Sequence, residues 1–589
     1  MQPTTPGPVD LPLDPRDECD IVMKGGITSG VVYPLAVVEL ARKYRLRSIG
    51  GTSAGAIAAG LTAAAELRRS RGALAGFEEL ARLPDFLQEN LTSLFQPQPA
   101  TRPLFELLLT WIGPGGVWGK IRRSLATAIR SQWLAFVGGA VLGTLLFLLL
   151  VALPAAALRP VWAGLVLFLF ILVGGWGAAV VACGIRGYRA IEENAFGLCS
   201  GLATEATHPA LTPWLAAKLD QIAGKGPGET PLTFGDLWGA GGSADRAIDL
   251  QVMTTNLTHG WPVRLPFESR ELLFDPRELR RFFPEAIVRW MEDHPSVEAM
   301  KRGPVPPAHL RYLPEPADLP VVVAARMSLS FPVLISAVPL HAADFLWNEE
   351  TEAWETHFKR CWFSDGGIGS NFPVHFFDQL VPSRPTFGIN LRPFRSDRSK
   401  KADESQNVWF PSATRQGVRP TFTPITSLVS FVASIVNTMQ NWVDNTQMRL
   451  PGYRDRVVHV HLTDDEGGMN LDMPRERIRA LTARGEAAGR KLATEFDWDR
   501  HRWTRYRTVM DQLREKLAGM ATVYGTGLRQ YLEGRVFGNS PYRLRGDKKG
   551  LLGLTDDLMG VAAALRDRGE PFSDEPPRPE ADLRILPRR

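Results

Sequence analysis

The sequence is poor in cysteine. It has four in 589 residues, Cys19, Cys183, Cys199 and Cys361, and no CxxC pair. That argues against a structural zinc site and gives no disulfide framework, which fits a reducing compartment. It also lacks strong charge of either sign: 68 Lys+Arg against 63 Asp+Glu leave a net charge of +5. Spread over this length, that balance does not suggest nucleic acid, which needs a concentrated basic face. The first 20 residues are rich in Pro and Asp and have no apolar core, so they do not read as a secretory signal. Residues 1–18 are expected to be a flexible tail.

Charge is absent where it matters most. No charged residue occurs from Trp133 to Leu153, nor from Pro160 to Ile185. Each run is near the ~20 residues that a helix needs to cross ~30 Å of hydrocarbon. Gly138, Gly139, Gly143, Gly174, Gly175 and Gly177 within them permit close helix contact. The short link between the runs predicts a two-helix transmembrane hairpin over residues 131–186. Lys120, Arg122, Arg123 and Arg130 precede it and Arg186 and Arg189 follow, while the link carries only Arg159. That asymmetry predicts both flanking arms on the cytoplasmic side.

What is present otherwise is a globular composition, 44% hydrophobic and 22% charged, long enough for two or three domains. Asp20–Met23 reads as a strand, residues 24–30 as a glycine loop and Val31–Lys43 as a helix. Leu46–Ile49 reads as a second strand, followed by a glycine turn and a helix over Ala54–Arg69. This alternation predicts a parallel α/β sheet. Leu250–Thr254, Trp362–Ser364, Thr386–Leu391 and Val457–Leu462 read as further strands, Glu349–His357 as a polar excursion and Arg475–Phe496 as a helix. Residues 19–130 and 187–497 are expected to form one domain interrupted by the hairpin, and 498–589 a helical extension with a Pro-rich tail.

Three segments carry chemistry. Gly51-Thr52-Ser53-Ala54-Gly55 matches G-x-S-x-G between a strand and a helix, as a nucleophile elbow requires. A capping serine in a glycine-rich connection would look the same. Gly25-Gly26-Ile27-Thr28-Ser29-Gly30 follows a strand and can present backbone N–H groups to an oxyanion. It could instead hold phosphate, although the G-x-G-x-x-G spacing is incomplete. Asp365-Gly366-Gly367 ends a short aromatic strand, where a carboxylate could orient a serine and accept its proton, or could simply begin a turn.

Taken together and in this order, the three segments resemble the motifs of the patatin-like phospholipases. Thr255-Asn256-Leu257 and the stretch from Ala325-Arg326-Met327-Ser328 to Pro332 are similar to that family as well. The resemblance covers roughly residues 20–496. It implies a three-layer sandwich with a mainly parallel central sheet. It also implies a Ser53–Asp365 dyad, an oxyanion hole at Gly25, Gly26 and Ile27, and supporting roles for Gly30, Gly51, Gly55, Gly366 and Gly367. The implied substrates are acyl lipids of the membrane, cleaved without metal or cofactor and without a catalytic histidine. His259 and His375 would then be structural. The family's usual first motif is G-G-G-x-R/K-G; here Ile27 replaces the third glycine and Ser29 the basic residue, and Lys24 could substitute electrostatically from just ahead. A non-catalytic membrane scaffold and a lipid acyltransferase are the alternative functions.

Overall fold

The computed structural model describes residues 10–26, 29–112, 117–152, 160–205, 207–226, 228–394, 399–411, 425–463, 465–467, 470–471, 473–537 and 547–568. Seven longer strands build its main sheet: β1 (Asp17–Met23), β2 (Tyr44–Thr52), β3 (Asp249–Asn256), β4 (Val338–Asn348), β5 (Ala353–Asp365), β6 (Thr386–Pro393) and β7 (Val457–Leu462). Their order across the sheet is β7-β6-β1-β2-β3-β5-β4, with short strands at both edges. From β7 to β3 every pairing is parallel; β5 and β4 then run antiparallel. The sheet is therefore mixed.

Its centre follows from composition. β7 is buried along its whole length, His459 and His461 included, and β1 is buried from Cys19 to Met23, Asp20 included, so both are covered on both faces. Successive side chains of β1 still serve opposite faces. Ile21 and Met23 enter the main core, and Val22 joins a smaller cluster with Phe372, Val374, Met448 and Val457. Helices α1 (Tyr33–Ala41) and α2 (Ala54–Ser70) cross between the first strands. The expectation of a flexible tail over residues 1–18 is corrected for its described part: Leu11 is buried in the main core and β1 begins at Asp17.

The two uncharged runs form helices within a longer helical insertion. After the helix α3 (Val117–Ser131) the chain bends by 98° into α4 (Trp133–Ala152). Helix α5 (Pro160–Glu193) packs against α4. A Cβ on Gly139 would lie 2.3 Å from the Gly174 carbonyl oxygen, and one on Gly143 would lie 2.3 Å from that of Phe170. The two helices thus run antiparallel at a separation only glycine allows. Among the described residues, one helix is by itself long and apolar enough to cross a membrane, over Val166–Glu193; α4 meets that standard only when counted with the bent α3. Arg159 lies outside the described residues. Past the sheet, α6 (Val321–Ser328), α7 (Leu428–Gln447) and α8 (Arg475–Glu495) complete the elements used below.

Candidate active site

The site forms where β1, β2 and β3 end. β2 delivers Gly51 and Thr52, the chain turns at Ser53, and α2 begins at Ala54. Ser53 holds φ 54° and ψ −130°, a conformation that costs a non-glycine residue about 1–3 kcal/mol and persists only where the surroundings enforce it. Two of the enforcing contacts are glycines. A Cβ on Gly51 would lie 2.3 Å from the Gly55 carbonyl oxygen, and one on Gly55 would lie 2.4 Å from that of Met23. The Ser53 N–H donates to Ser328 Oγ at 3.0 Å, which ties the turn to the end of α6.

β5 brings in Asp365 from the opposite direction, pairing it with Thr254 of β3. Its N–H donates to the Ser330 carbonyl at 2.9 Å, and its own carbonyl accepts from Thr255 Oγ1 at 2.9 Å. One carboxylate oxygen, Oδ1, accepts from Gly367 N–H at 2.6 Å. The other, Oδ2, is buried and has no hydrogen-bond partner among the described residues. The Ser53 hydroxyl stands beside this carboxyl group, close enough to favour its ionised form without being aligned into a hydrogen bond. Apo catalytic pairs often show such loose geometry. Burial dominates the electrostatics and pushes Asp365 up to about 7, against smaller pulls from Ser53 and the Gly367 N–H. A buried carboxyl with that pKa, next to a hydroxyl, can act as a proton acceptor near neutrality.

The glycine loop lies against this pair. A Cβ on Gly25 would lie 3.0 Å from Ser53 Cβ and 2.2 Å from Asn371 Oδ1. The three expected oxyanion donors fare differently. Gly25 is corrected: its N–H already donates to the Asn371 carbonyl at 2.9 Å. The Gly26 N–H has no acceptor among the described residues, and Ile27 lies outside them. Gly30 donates to the Gly26 carbonyl at 3.1 Å and so closes the loop. Lys24 does not stand in for a basic residue beside Ser53. Its ammonium donates to the Leu391 carbonyl of β6, across β1 from Ser53, and burial lowers it to about 8.

Sequence reasoning missed a donor and two supports. The Ala54 N–H, at the first position of α2, has no acceptor among the described residues; the residue after an elbow serine is where one is expected. Asn371 offers one carbonyl to both Gly25 N–H and Thr52 Oγ1. Asp444, near the end of α7, accepts from Ser370 Oγ at 2.7 Å and from the N–H groups of Asn371 and Phe372 at 2.9 and 2.8 Å. Gly366 and Gly367 sit where a Cβ would meet the Met253 carbonyl and Asp365 Oδ1. His259 is bound into the turn after β3, where its Nδ1 lies 3.1 Å from Asn256 Nδ2.

An apolar cavity reaches Ala54, the residue after Ser53. Gly30, Ala54, Ile57, Leu87, Phe95 and Trp214 are among its walls. No group of three or more metal-ligating side chains occurs among the described residues.

No protein-family model matches the chain. A protein of Rhizobium meliloti (strain 1021) called RpoH suppressor is 37% identical to it over 653 aligned positions, which take in 97% of this chain and 99% of that protein. The chain belongs to the family of this RpoH suppressor. Nearly end-to-end coverage means that the elbow, the helical insertion and the C-terminal helices all fall within the shared length.

The contact of Gly25 with Ser53 makes one variant informative. Gly25→Ala places a methyl group against Ser53 Cβ and the Thr52 carbonyl. A shift of ~1 Å at a reacting atom can cost ~10²-fold. The expected result is a loss of that size in ester turnover with an unchanged circular dichroism spectrum.

Proposed function

We propose that the chain is a membrane-anchored serine acyl-hydrolase of the patatin-like phospholipase type. One observation carries the reading: a serine held at positive φ at a strand-to-helix turn, beside a buried carboxyl raised to about 7, with an apolar cavity walled by the next residue, Ala54. The strained turn holds the buried Ser53 hydroxyl against the carboxylate, which can take its proton, and the neighbouring apolar cavity suits an acyl chain.

In this mechanism Asp365 accepts the Ser53 proton as Oγ attacks the ester carbonyl. The N–H groups of Gly26 and Ala54 hold the resulting oxyanion, helped by the positive end of α2. Collapse expels the alcohol, which takes the proton from Asp365. Water, activated by the same carboxylate, then hydrolyses the acyl-enzyme and frees the fatty acid. No step requires a metal or cofactor. The finer architecture belongs to the same proposal: a three-layer sandwich interrupted by a hairpin, α4 and α5, that crosses the bilayer twice and leaves the catalytic body on the cytoplasmic side. An even number of crossings lets Ser53 and Asp365, which flank the insertion, meet.

Incubating the purified protein with mixed membrane phospholipids and reading the products by mass spectrometry tests the activity. Free fatty acid and lysolipid are expected; acyl groups moved onto a second lipid would identify a transferase, and unchanged lipid would contradict the reading. Replacing residues 133–185 by a short Gly/Ser linker should give a soluble protein that still cleaves a short water-soluble ester. Full-length protein released from membranes by carbonate would contradict the spanning hairpin.

A further inference from the structure

Helix α7 is stabilised at its start by a capping box, in which Ser427 and Ser430 satisfy each other's backbone. Near its other end Asp444 is hydrogen-bonded to the loop 370–372. Between these points it presents Leu428, Phe431, Val432, Ile435, Val436, Met439 and Trp442 to solvent, all exposed, Leu428 by 78% and Met439 by 64%. Their spacing of three and four residues puts them on one stripe. The opposite face carries Ser430, Ser434, Asn437 and Asn441. No charged residue occurs from Ile425 to Val443.

The charge pattern separates the possible occupants. A helix seated on a protein partner gains its register and selectivity from charges along the contact; the exposed stripe of α7 has none, its one charged residue, Asp444, being buried against the loop 370–372. A lipid surface needs only apolar area, and Trp442 suits the headgroup level at which amphipathic rings settle. A second feature points the same way. β4 and β5 pair out to Asn348 and Ala353, whereas their neighbours stop at Ala342 and Phe363. The ribbon beyond Ala343 and Phe358 therefore projects roughly 17 Å past the sheet. It leaves from the edge where β3 ends and Asp365 enters, which is the edge that α7 grips. Its tip carries Phe345, Trp347 and Trp354, all exposed, with the two tryptophans packed edge to face at 5.6 Å.

We propose that α7 lies in the headgroup–acyl boundary of the bilayer with its apolar stripe buried, holding the Ser53–Asp365 edge of the sheet against the leaflet. The inference rests on the membrane-bound reading above and is independent of the hydrolytic one. Because the exposed stripe of α7 carries no charge, apolar burial alone seats it, so binding should not depend on anionic lipid or on salt.

The test uses full-length protein carrying S53A, so that no lipid is consumed. The four native cysteines are buried, so single probes can be attached at V432C, M439C or N437C. The protein is reconstituted into pure phosphatidylcholine vesicles bearing nitroxides near the headgroups. Probes at positions 432 and 439 are expected to shift to the blue and lose emission to the nitroxide, while the probe at 437, on the opposite face, does neither. The pattern should be the same at low and high salt. Unquenched probes at 432 and 439 on protein that floats with the vesicles would overturn this inference alone. A blue shift that grows with protein density and ignores the nitroxide would assign the stripe to a second copy of the chain, and would overturn it too. Protein that fails to float would overturn both this inference and the spanning reading.

Discussion

Ser53→Ala should lower ester turnover by on the order of 10⁴–10⁶-fold, and Asp365→Asn should do nearly the same, with the double variant no worse than either. In the proposed mechanism the two groups act as one unit: the hydroxyl needs a proton acceptor, and the carboxylate has no hydrogen-bond partner at Oδ2 among the described residues. The carboxyl must be ionised to work. Turnover of the wild type should therefore rise with pH through about 7 and fall away below it. Stability runs the other way. The folded pKa of about 7 lies above the ordinary 3.8, so the folded state binds this proton more tightly than the unfolded chain does. The stability due to that proton is complete below about pH 4 and lost as pH rises through 7. Over roughly three pKa units it amounts to about 4 kcal/mol. Asp365→Asn cannot ionise, so at pH 8 it should melt higher than the wild type while being inactive. The strain at Ser53 gives a parallel result: Ser53→Gly should gain about 1 kcal/mol in stability, because glycine adopts φ 54° freely.

Arg326→Met should destabilise the protein by about 3 kcal/mol in urea unfolding and lower turnover at the same time. Arg326 is fully buried in α6. Its guanidinium donates to Ser330 Oγ at 2.7 Å and to the carbonyls of Ser200 and Ser336 at 2.8 and 3.1 Å. Burial draws it down to about 9, so it remains charged at neutral pH. Methionine would recover the cost of burying a charge but would orphan the carbonyls of Ser200 and Ser336, each worth about 1–3 kcal/mol, and leave Ser330 Oγ only its bond to the Arg326 carbonyl; the second effect is the larger. The catalytic consequence follows from Ser330, whose carbonyl accepts from both the Asp365 N–H and Ser364 Oγ. Arg326→Lys should fail similarly, because a single ammonium cannot reach three acceptors in a planar fork. A variant with wild-type stability would contradict this account of α6.

The elements legible in the sequence were those with local causes. β1, β2, α1 and α2 were readable because apolar runs and glycine turns mark them within a few residues, and they led to Ser53; the short aromatic strand Trp362–Ser364 and its glycine turn led to Asp365. β4 and the outer half of β5 were not, because their ribbon leaves the sheet; Glu349–His357 looked like a polar excursion since nothing there is buried on a core. α7 was missed for a related reason. Its apolar stripe alternates with Ser and Asn and packs on no core, so it resembled neither a core helix nor a span. Asn371 and Asp444 left no local trace either, since they work through backbone bonds made across long separations, 73 residues in the case of Asp444 and Asn371. The use of the Gly25 N–H could not be foreseen without them. The strongest signal, the pair of uncharged runs, predicted a two-helix transmembrane hairpin; two helices are present, and of these α5 alone meets the standard for a membrane span.

The central claim is that Ser53 is a nucleophile activated by Asp365. Exposure of the full-length protein to a fluorophosphonate, followed by peptide mapping, tests it most directly. The account predicts one adduct, on the peptide containing Ser53, formed faster as pH rises through 7 and nearly absent in Asp365→Asn. An unmodified Ser53, or labelling that is indifferent to Asp365→Asn, would contradict it.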